Sequence, residues 1–94
     1  MQKEISEHNA LLFEAILALK DQEECRAFFQ DLCTVSELKA MVQRLEVAQL
    51  LDQGLIYNDI LQRTGASSAT ISRVNRALQY GADGYKTVLP RLSK

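Results

Sequence analysis

A chain of 94 residues with a formal charge of −1, 47% apolar residues, no Trp, one Pro and four Gly is long enough for one small core and short enough that a second copy would help cover apolar surface. So little Pro and Gly leaves small room for a turn-dense β fold and points to an all-α class. No apolar run approaches the roughly 20 residues of a membrane span, and Met1 to Glu7 do not form a signal peptide, so a cytoplasmic setting without a membrane partner is expected.

In chain order, Leu12, Phe13, Ile16, Leu17 and Lys20 recur at helical spacing, with Leu11 and Leu19 widening the stripe, so a strongly apolar helix is predicted over residues 6–20. It needs a partner surface. A break falls near Lys20-Asp21, where Asp21 followed by Glu24 reads as an N-cap with an acidic first turn. Cys25, Phe28, Phe29, Leu32 and Cys33 then mark one face of a second helix. Eight positions apart, the two cysteines stand about 12 Å apart along that helix at ~1.5 Å per residue, too far to be bridged to each other. They read as buried thiols. No Cys/His spacing suits zinc, no metal is expected, and the lone His8 reads as a solvated helix residue.

Thr34-Val35-Ser36-Glu37 has the form of a capping box, Thr34 as the cap and Glu37 reaching back, and opens a third helix that Gly54 can end as the first residue beyond it. Its apolar positions, Leu38, Met41, Val42, Leu45, Val47, Ala48, Leu50 and Leu51, cover more than one face. Either a second protomer covers the surplus or the N-terminal helix packs across it within one chain, and periodicity does not separate the two.

Residues 57–80 read as a helix-turn-helix: a short helix over 57–63, a turn at Thr64-Gly65-Ala66, and a second helix starting at Ser67 and stopped by Gly81. Gly65 suits a bend that needs positive φ, and Ile60, Ile71, Val74 and Leu78 are the expected buried positions. Asp83-Gly84-Tyr85 opens a last short helix carrying Val88 and Leu89, which Pro90 is expected to end or kink. The chain is thus expected to be one domain over 1–94. Residues 1–33 form its N-terminal dimerisation helices, 34–54 its central helix, 57–80 the helix-turn-helix and 83–92 the last helix.

Charge is unevenly spread. Residues 1–56 carry five basic and ten acidic side chains, leaving −5, whereas residues 57–94 carry six basic and two acidic, leaving +4. The basic half holds the helix-turn-helix, and a local basic patch is what a polyanion recognises. At 100° per residue, Ile71, Val74 and Leu78 share one side of the second helix, and Ala69, Arg73, Arg76 and Tyr80 the opposite stripe, flanked by Ser72 and Gln79. Ser67, Ser68, Ala69 and Thr70 at the helix start are short enough for the backbone to approach base edges, and the N-terminal N–H groups favour phosphate. The expected DNA contacts are Ser67, Ser68, Ala69, Thr70, Ser72, Arg73 and Arg76, with Asn58 at the start of the first helix. Taken singly, the hydroxyls also fit plain N-capping and the arginines a solvated face.

The run Gly65-Ala66-Ser67-Ser68-Ala69-Thr70-Ile71-Ser72-Arg73 resembles the turn and recognition-helix start of the Trp repressor superfamily. Arg73-Val74-Asn75-Arg76-Ala77-Leu78-Gln79-Tyr80-Gly81-Ala82-Asp83-Gly84-Tyr85 is similar to its YerC/YecD type. The resemblance extends upstream through Thr34-Val35-Ser36-Glu37 and Arg44 to Gly54, about two-thirds of the chain. It implies an all-helical, intertwined homodimer that places two recognition helices in successive major grooves of a near-palindromic operator on double-stranded DNA, as a transcriptional regulator of the repressor kind. It also implies that Arg73, and Arg44 if a one-residue gap follows Gly54, hold the carboxylate of a small-molecule effector. The family's glycine after the Arg73 position is Val74 here, which disfavours L-tryptophan. No cofactor is implied.

The competing reading is a protein-interaction module that uses the same scaffold without base-specific binding, supported by the acidic overall balance. An enzyme is not expected: no Ser/His/Asp set, no usefully spaced Cys/His pair and no phosphate-cradling glycine loop is present.

Overall fold

A computed structural model of the chain describes residues 9–92; residues 6–8 of the expected first helix, His8 among them, lie outside the described residues. Six helices and no strand occur among these: α1 Ala10–Ala18, α2 Gln22–Leu32, α3 Val35–Asp52, α4 Tyr57–Thr64, α5 Ser68–Tyr80 and α6 Gly84–Leu92. The expected all-α class is what the structure shows. The chain forms two compact units, Met1–Leu38 and Lys39–Lys94.

In the first unit, α1 stops at Ala18, two residues short of the expected Lys20. Leu19 is extended, and its N–H turns back to the Ile16 carbonyl at 3.2 Å. The physical reason lies in the next helix: Glu24 Oε1 accepts from the Lys20 N–H at 2.9 Å and Asp21 Oδ1 accepts from the Glu24 N–H at 2.8 Å, so the cap of α2 takes the backbone groups that a longer α1 would use. Along α2, Cys25, Phe28 and Phe29 are half-buried on the expected face, the two phenyl rings meeting edge-on at 5.5 Å, while Leu32 is exposed and Cys33, half-buried, is the extended residue just past the helix. Neither α1 nor α2 contains a buried residue. Leu11 and Leu17 are 77% and 84% exposed.

The start of α3 carries the expected capping box in full: Thr34 N–H donates to Glu37 Oε1 at 2.8 Å and Glu37 N–H to Thr34 Oγ1 at 3.0 Å. Its end is a Schellman turn. Gly54 sits at φ +90°, its N–H bonds the Leu51 carbonyl at 3.0 Å, and the Leu55 N–H reaches the Leu50 carbonyl at 3.1 Å.

The second unit holds the core. Val47 and Ala48 of α3, Ile60 of α4, Ala66 of the turn, Ile71, Val74 and Leu78 of α5, and Leu89 of α6 form one buried cluster, edged by Leu50, Leu51, Leu55, Leu61 and Tyr85. All four positions expected from the helical period, Ile60, Ile71, Val74 and Leu78, lie in it. Helix α4 packs on α5, and α5 on α6. Pro90 neither ends α6 nor leaves it at once: the helix runs two residues further, to Leu92. Pro90 lacks the N–H that would bond the Lys86 carbonyl, but it lies in the last turn, where one lost bond is cheap.

Candidate nucleic-acid interface

The bend between α4 and α5 is built from three consecutive residues. Gly65 caps α4 at φ +72° and ψ +6°, the left-handed region that a side chain makes costly, and its N–H bonds the Leu61 carbonyl at 2.9 Å. Thr64 ties both sides together: its hydroxyl donates to the Ile60 carbonyl at 2.7 Å and accepts from the Ala66 N–H at 3.1 Å. Ala66 is then buried in the core, which fixes where α5 begins.

At the start of α5, Ser67 is the N-cap. Its hydroxyl accepts from the Thr70 N–H and donates to Thr70 Oγ1, both at 3.1 Å. Thr70 is half-buried, whereas Ser67, Ser68 and Ala69 are exposed. Further along, Ser72, Arg73, Arg76, Gln79 and Tyr80 are exposed, opposite the buried Ile71, Val74 and Leu78. Asn58 is exposed on the first turn of α4, whose N-cap residue Ile56 offers no side-chain acceptor.

The electrostatics of this face are simple. Among the described residues, Arg73 and Arg76 make no ion pair, and the second unit's ion pair, Lys86 with Asp83 at 3.8 Å, lies near the start of α6. The two guanidiniums on α5 therefore keep their charge and donors available to an external anion, and a planar, five-donor group suits phosphate or the guanine edge.

The two arginines expected to hold an effector carboxylate differ in setting: Arg44 is half-buried on α3 and Arg73 exposed on α5. Val74 is 1% exposed and belongs to the core cluster beside Ile71 and Leu78. One apolar hollow of about 380 Å³ is lined by Leu45, Ala77, Ala82, Gly84, Tyr85 and Val88. A second, of about 230 Å³ and more polar, is lined by Glu46, Gln49, Leu50, Arg63 and Thr64. Neither Arg44 nor Arg73 lines these two hollows.

Sequence reasoning missed Gln43. From α3, its Nε2 donates to the Thr64 carbonyl at 3.2 Å. The residues are 21 positions apart, and no local pattern signals such a bond. The bridging role of Thr64 had a weak signal, a hydroxyl residue in the last turn of a helix, where it can bond the carbonyl four residues back.

Among the described residues, six helices, the glycine-bent pair α4 and α5, and the exposed arginines of α5 without an ion-pair partner define a helix-turn-helix protein. The family model described as Trp repressor protein matches residues 7–93, and the chain belongs to that family, one of DNA-binding transcriptional regulators. The chain is 54% identical over 83 residues to the uncharacterized protein YerC of Bacillus subtilis (strain 168), covering 88% of this chain and 80% of that one. Its structure matches the crystal structure of a TrpR-like protein from Eubacterium eligens ATCC 27750 with a TM-score of 0.92, at 49% identity over 99% of this chain and 96% of that one. A candidate Trp repressor from Staphylococcus aureus matches with a TM-score of 0.87, at 48% identity over 96% and 94%. The resemblance, read from Thr34 to Tyr85, therefore holds across nearly the whole chain. No helix among the described residues is long and apolar enough to cross a membrane.

Proposed function

We propose that this chain is a sequence-specific DNA-binding transcriptional regulator, a repressor that acts as a homodimer, with α5 lying in the major groove of each half of a near-palindromic operator. The observation that carries the reading is the face of α5: Ser68, Ala69, Ser72, Arg73 and Arg76 stand exposed on one helix, the arginines without acidic partners among the described residues, and Gly65 sets that helix off from α4. Small residues at the N-terminal turn let the backbone approach the groove, while Arg73 and Arg76 supply guanine or phosphate contacts. The Ser67 and Thr70 hydroxyls hold the turn's shape and contribute to DNA through what they leave free, the Thr70 O–H and methyl. Asn58 adds a contact to the phosphate backbone from the start of α4.

Dimerisation follows from uncovered apolar surface. Leu11, Leu17 and Val35 are more than 70% exposed, and Phe13, Val42 and Leu45 about half so. Exposure on this scale in a 94-residue chain calls for a partner, and a second copy supplies a self-complementary one. We further read 1–94 as one functional domain, with 1–33 serving assembly, 34–54 the central helix, 57–80 DNA reading and 83–92 the closing helix. Arg44 and Arg73 are the side chains we assign to any effector carboxylate. L-Tryptophan is a poor fit, because the buried Val74 isopropyl fills the space that the resemblance assigns to a glycine.

Selection of bound duplexes from a random library tests class and assembly together. Two-fold symmetric enriched sites are the expected result. No enrichment, with protein partners held in a salt-insensitive way, would replace the reading with that of an interaction module.

A further inference from the structure

The Thr64–Gly65 peptide unit is the hinge plane of the helix-turn-helix, because the chain leaves α4 through it and turns at the left-handed Gly65 immediately after. Both polar ends of that plane are bonded. Its N–H goes to the Leu61 carbonyl at 2.9 Å, within the helix it closes. Its carbonyl, one of the orphan acceptors at a helix C-terminus, takes the Gln43 side chain from α3 at 3.2 Å. Leu89 aside, every other side-chain hydrogen bond among the described residues links positions four or fewer apart. Among the described residues, Gln43 is the side chain that reaches from a distant helix to the bend by a hydrogen bond. One helical turn further along α3, on the same face, Val47 is fully buried in the cluster that contains Ile60 of α4 and Ile71 of α5. Helix α3 thus holds the helix-turn-helix by an apolar anchor and, one turn earlier, by a polar clamp on the hinge plane itself.

We propose that Gln43 is a positioning residue for α5: by fixing the Thr64–Gly65 peptide plane it sets the angle at which the reading helix leaves the bend, without touching DNA itself. The inference rests on the reading of α5 as the DNA-contacting helix. Apolar packing in the cluster that holds Ile60 and Ile71 is non-directional and tolerates small rotations, whereas an amide-to-carbonyl bond restricts the plane's tilt. Without the clamp, the carbonyl finds water and the plane is free to rock about Gly65, whose backbone offers little resistance. Base reading requires side chains to arrive within a fraction of an ångström of their partners, so a rocking α5 loses base contacts before it loses the long-range attraction of Arg73 and Arg76 for phosphate.

The test compares the full chain with Gln43→Met, which keeps length and volume but has no donor, and with Gln43→Lys, which restores a donor. Binding is measured to the selected operator and to a random duplex across a salt series, and amide hydrogen exchange is followed in the free protein. Gln43→Met should lower operator affinity about 3- to 10-fold while leaving random-duplex affinity and salt slope unchanged. Exchange at Gly65 and Ala66 should quicken by a similar factor while Ile71 and Val74 stay as slow as before. Gln43→Lys should recover most of the operator-to-random ratio, a quantity in which its added charge cancels. Loss of stability alone would quicken the core amides together with Gly65. Unchanged exchange at Gly65 in Gln43→Met overturns the clamp whatever DNA does. Quicker exchange with an undiminished operator-to-random ratio overturns the positioning role while the DNA-reading assignment stands. If the unmodified chain prefers no duplex, that assignment fails and the positioning role with it.

Discussion

Ser67 and Thr70 are bonded to each other twice: the Ser67 hydroxyl accepts the Thr70 backbone N–H and donates to the Thr70 hydroxyl, each at 3.1 Å. Two of the four small residues at the start of α5 are therefore occupied in making the helix begin, and Ser68 and Ala69, both exposed, carry no part of that cap.

That division gives the first prediction. Ser67→Ala removes the cap and should lower the stability of the folded chain by about 1 kcal/mol, read from urea midpoints. Ser68→Ala, which disturbs no bond of the fold, should change stability by less than ~0.5 kcal/mol and show its effect in operator binding instead. Equal stability losses for the two would refute the division of labour.

The cationic face gives the second. Arg76→Ala should weaken operator binding by about 1 to 3 kcal/mol if it reads a base, or flatten the log–log salt slope by about 1 if it meets a phosphate. The triple change Ser68→Ala, Thr70→Ala and Arg76→Ala should abolish preference for the operator over random duplex. Filter binding or fluorescence anisotropy at physiological salt decides it, and unchanged operator affinity in the triple variant would remove α5 as the reading helix.

Gly65 supports a third. An added Cβ there meets nothing within 4 Å, so the cost of Gly65→Ala is conformational, about 1 to 2 kcal/mol for φ +72° in an L-residue. The midpoint of thermal unfolding should drop accordingly. A neutral result would mean that the bend adopts another geometry in solution.

The exposed leucines of α1 supply the fourth. Because assembly stabilises the fold by mass action, the unfolding midpoint should rise with protein concentration. Leu17→Glu, at a position 84% exposed in the single chain, should weaken assembly rather than the isolated fold. Sedimentation equilibrium showing a stable folded monomer at micromolar concentration would end the dimer proposal and the argument for operator symmetry.

Val74 sets the last expectation. Calorimetry with millimolar L-tryptophan should show no saturable binding. Val74→Gly should lose roughly 2 kcal/mol or more of stability, because it empties a core position and puts glycine inside a helix. Saturable tryptophan binding by the unmodified protein, with tighter operator binding in its presence, would overturn the volume argument.

Where most helices begin and end, and which way most of the helix-turn-helix faces, is legible in short stretches of the chain. Asp21 with Glu24, Thr34 with Glu37, Gly54, Gly65 and Ser67 all act within five residues of themselves, so their signals are complete in a short stretch of chain. Ile60, Ile71, Val74 and Leu78 could be placed inside because α4 and α5 are largely polar elsewhere, so their apolar residues mark one main face. The rest depends on which helices come to lie against one another. Helix α3 is apolar on several sides, so its period did not tell Val47 and Ala48, fully buried, from Val42, half exposed. That choice belongs to the helices packed against it. Ala66 looked like a mere turn residue and is buried because α4 and α5 close over it. The hold of Gln43 on the Thr64 carbonyl spans 21 positions and exists only once α3 lies along the bend, since a hydrogen bond between distant residues leaves no periodic trace in the chain that makes it.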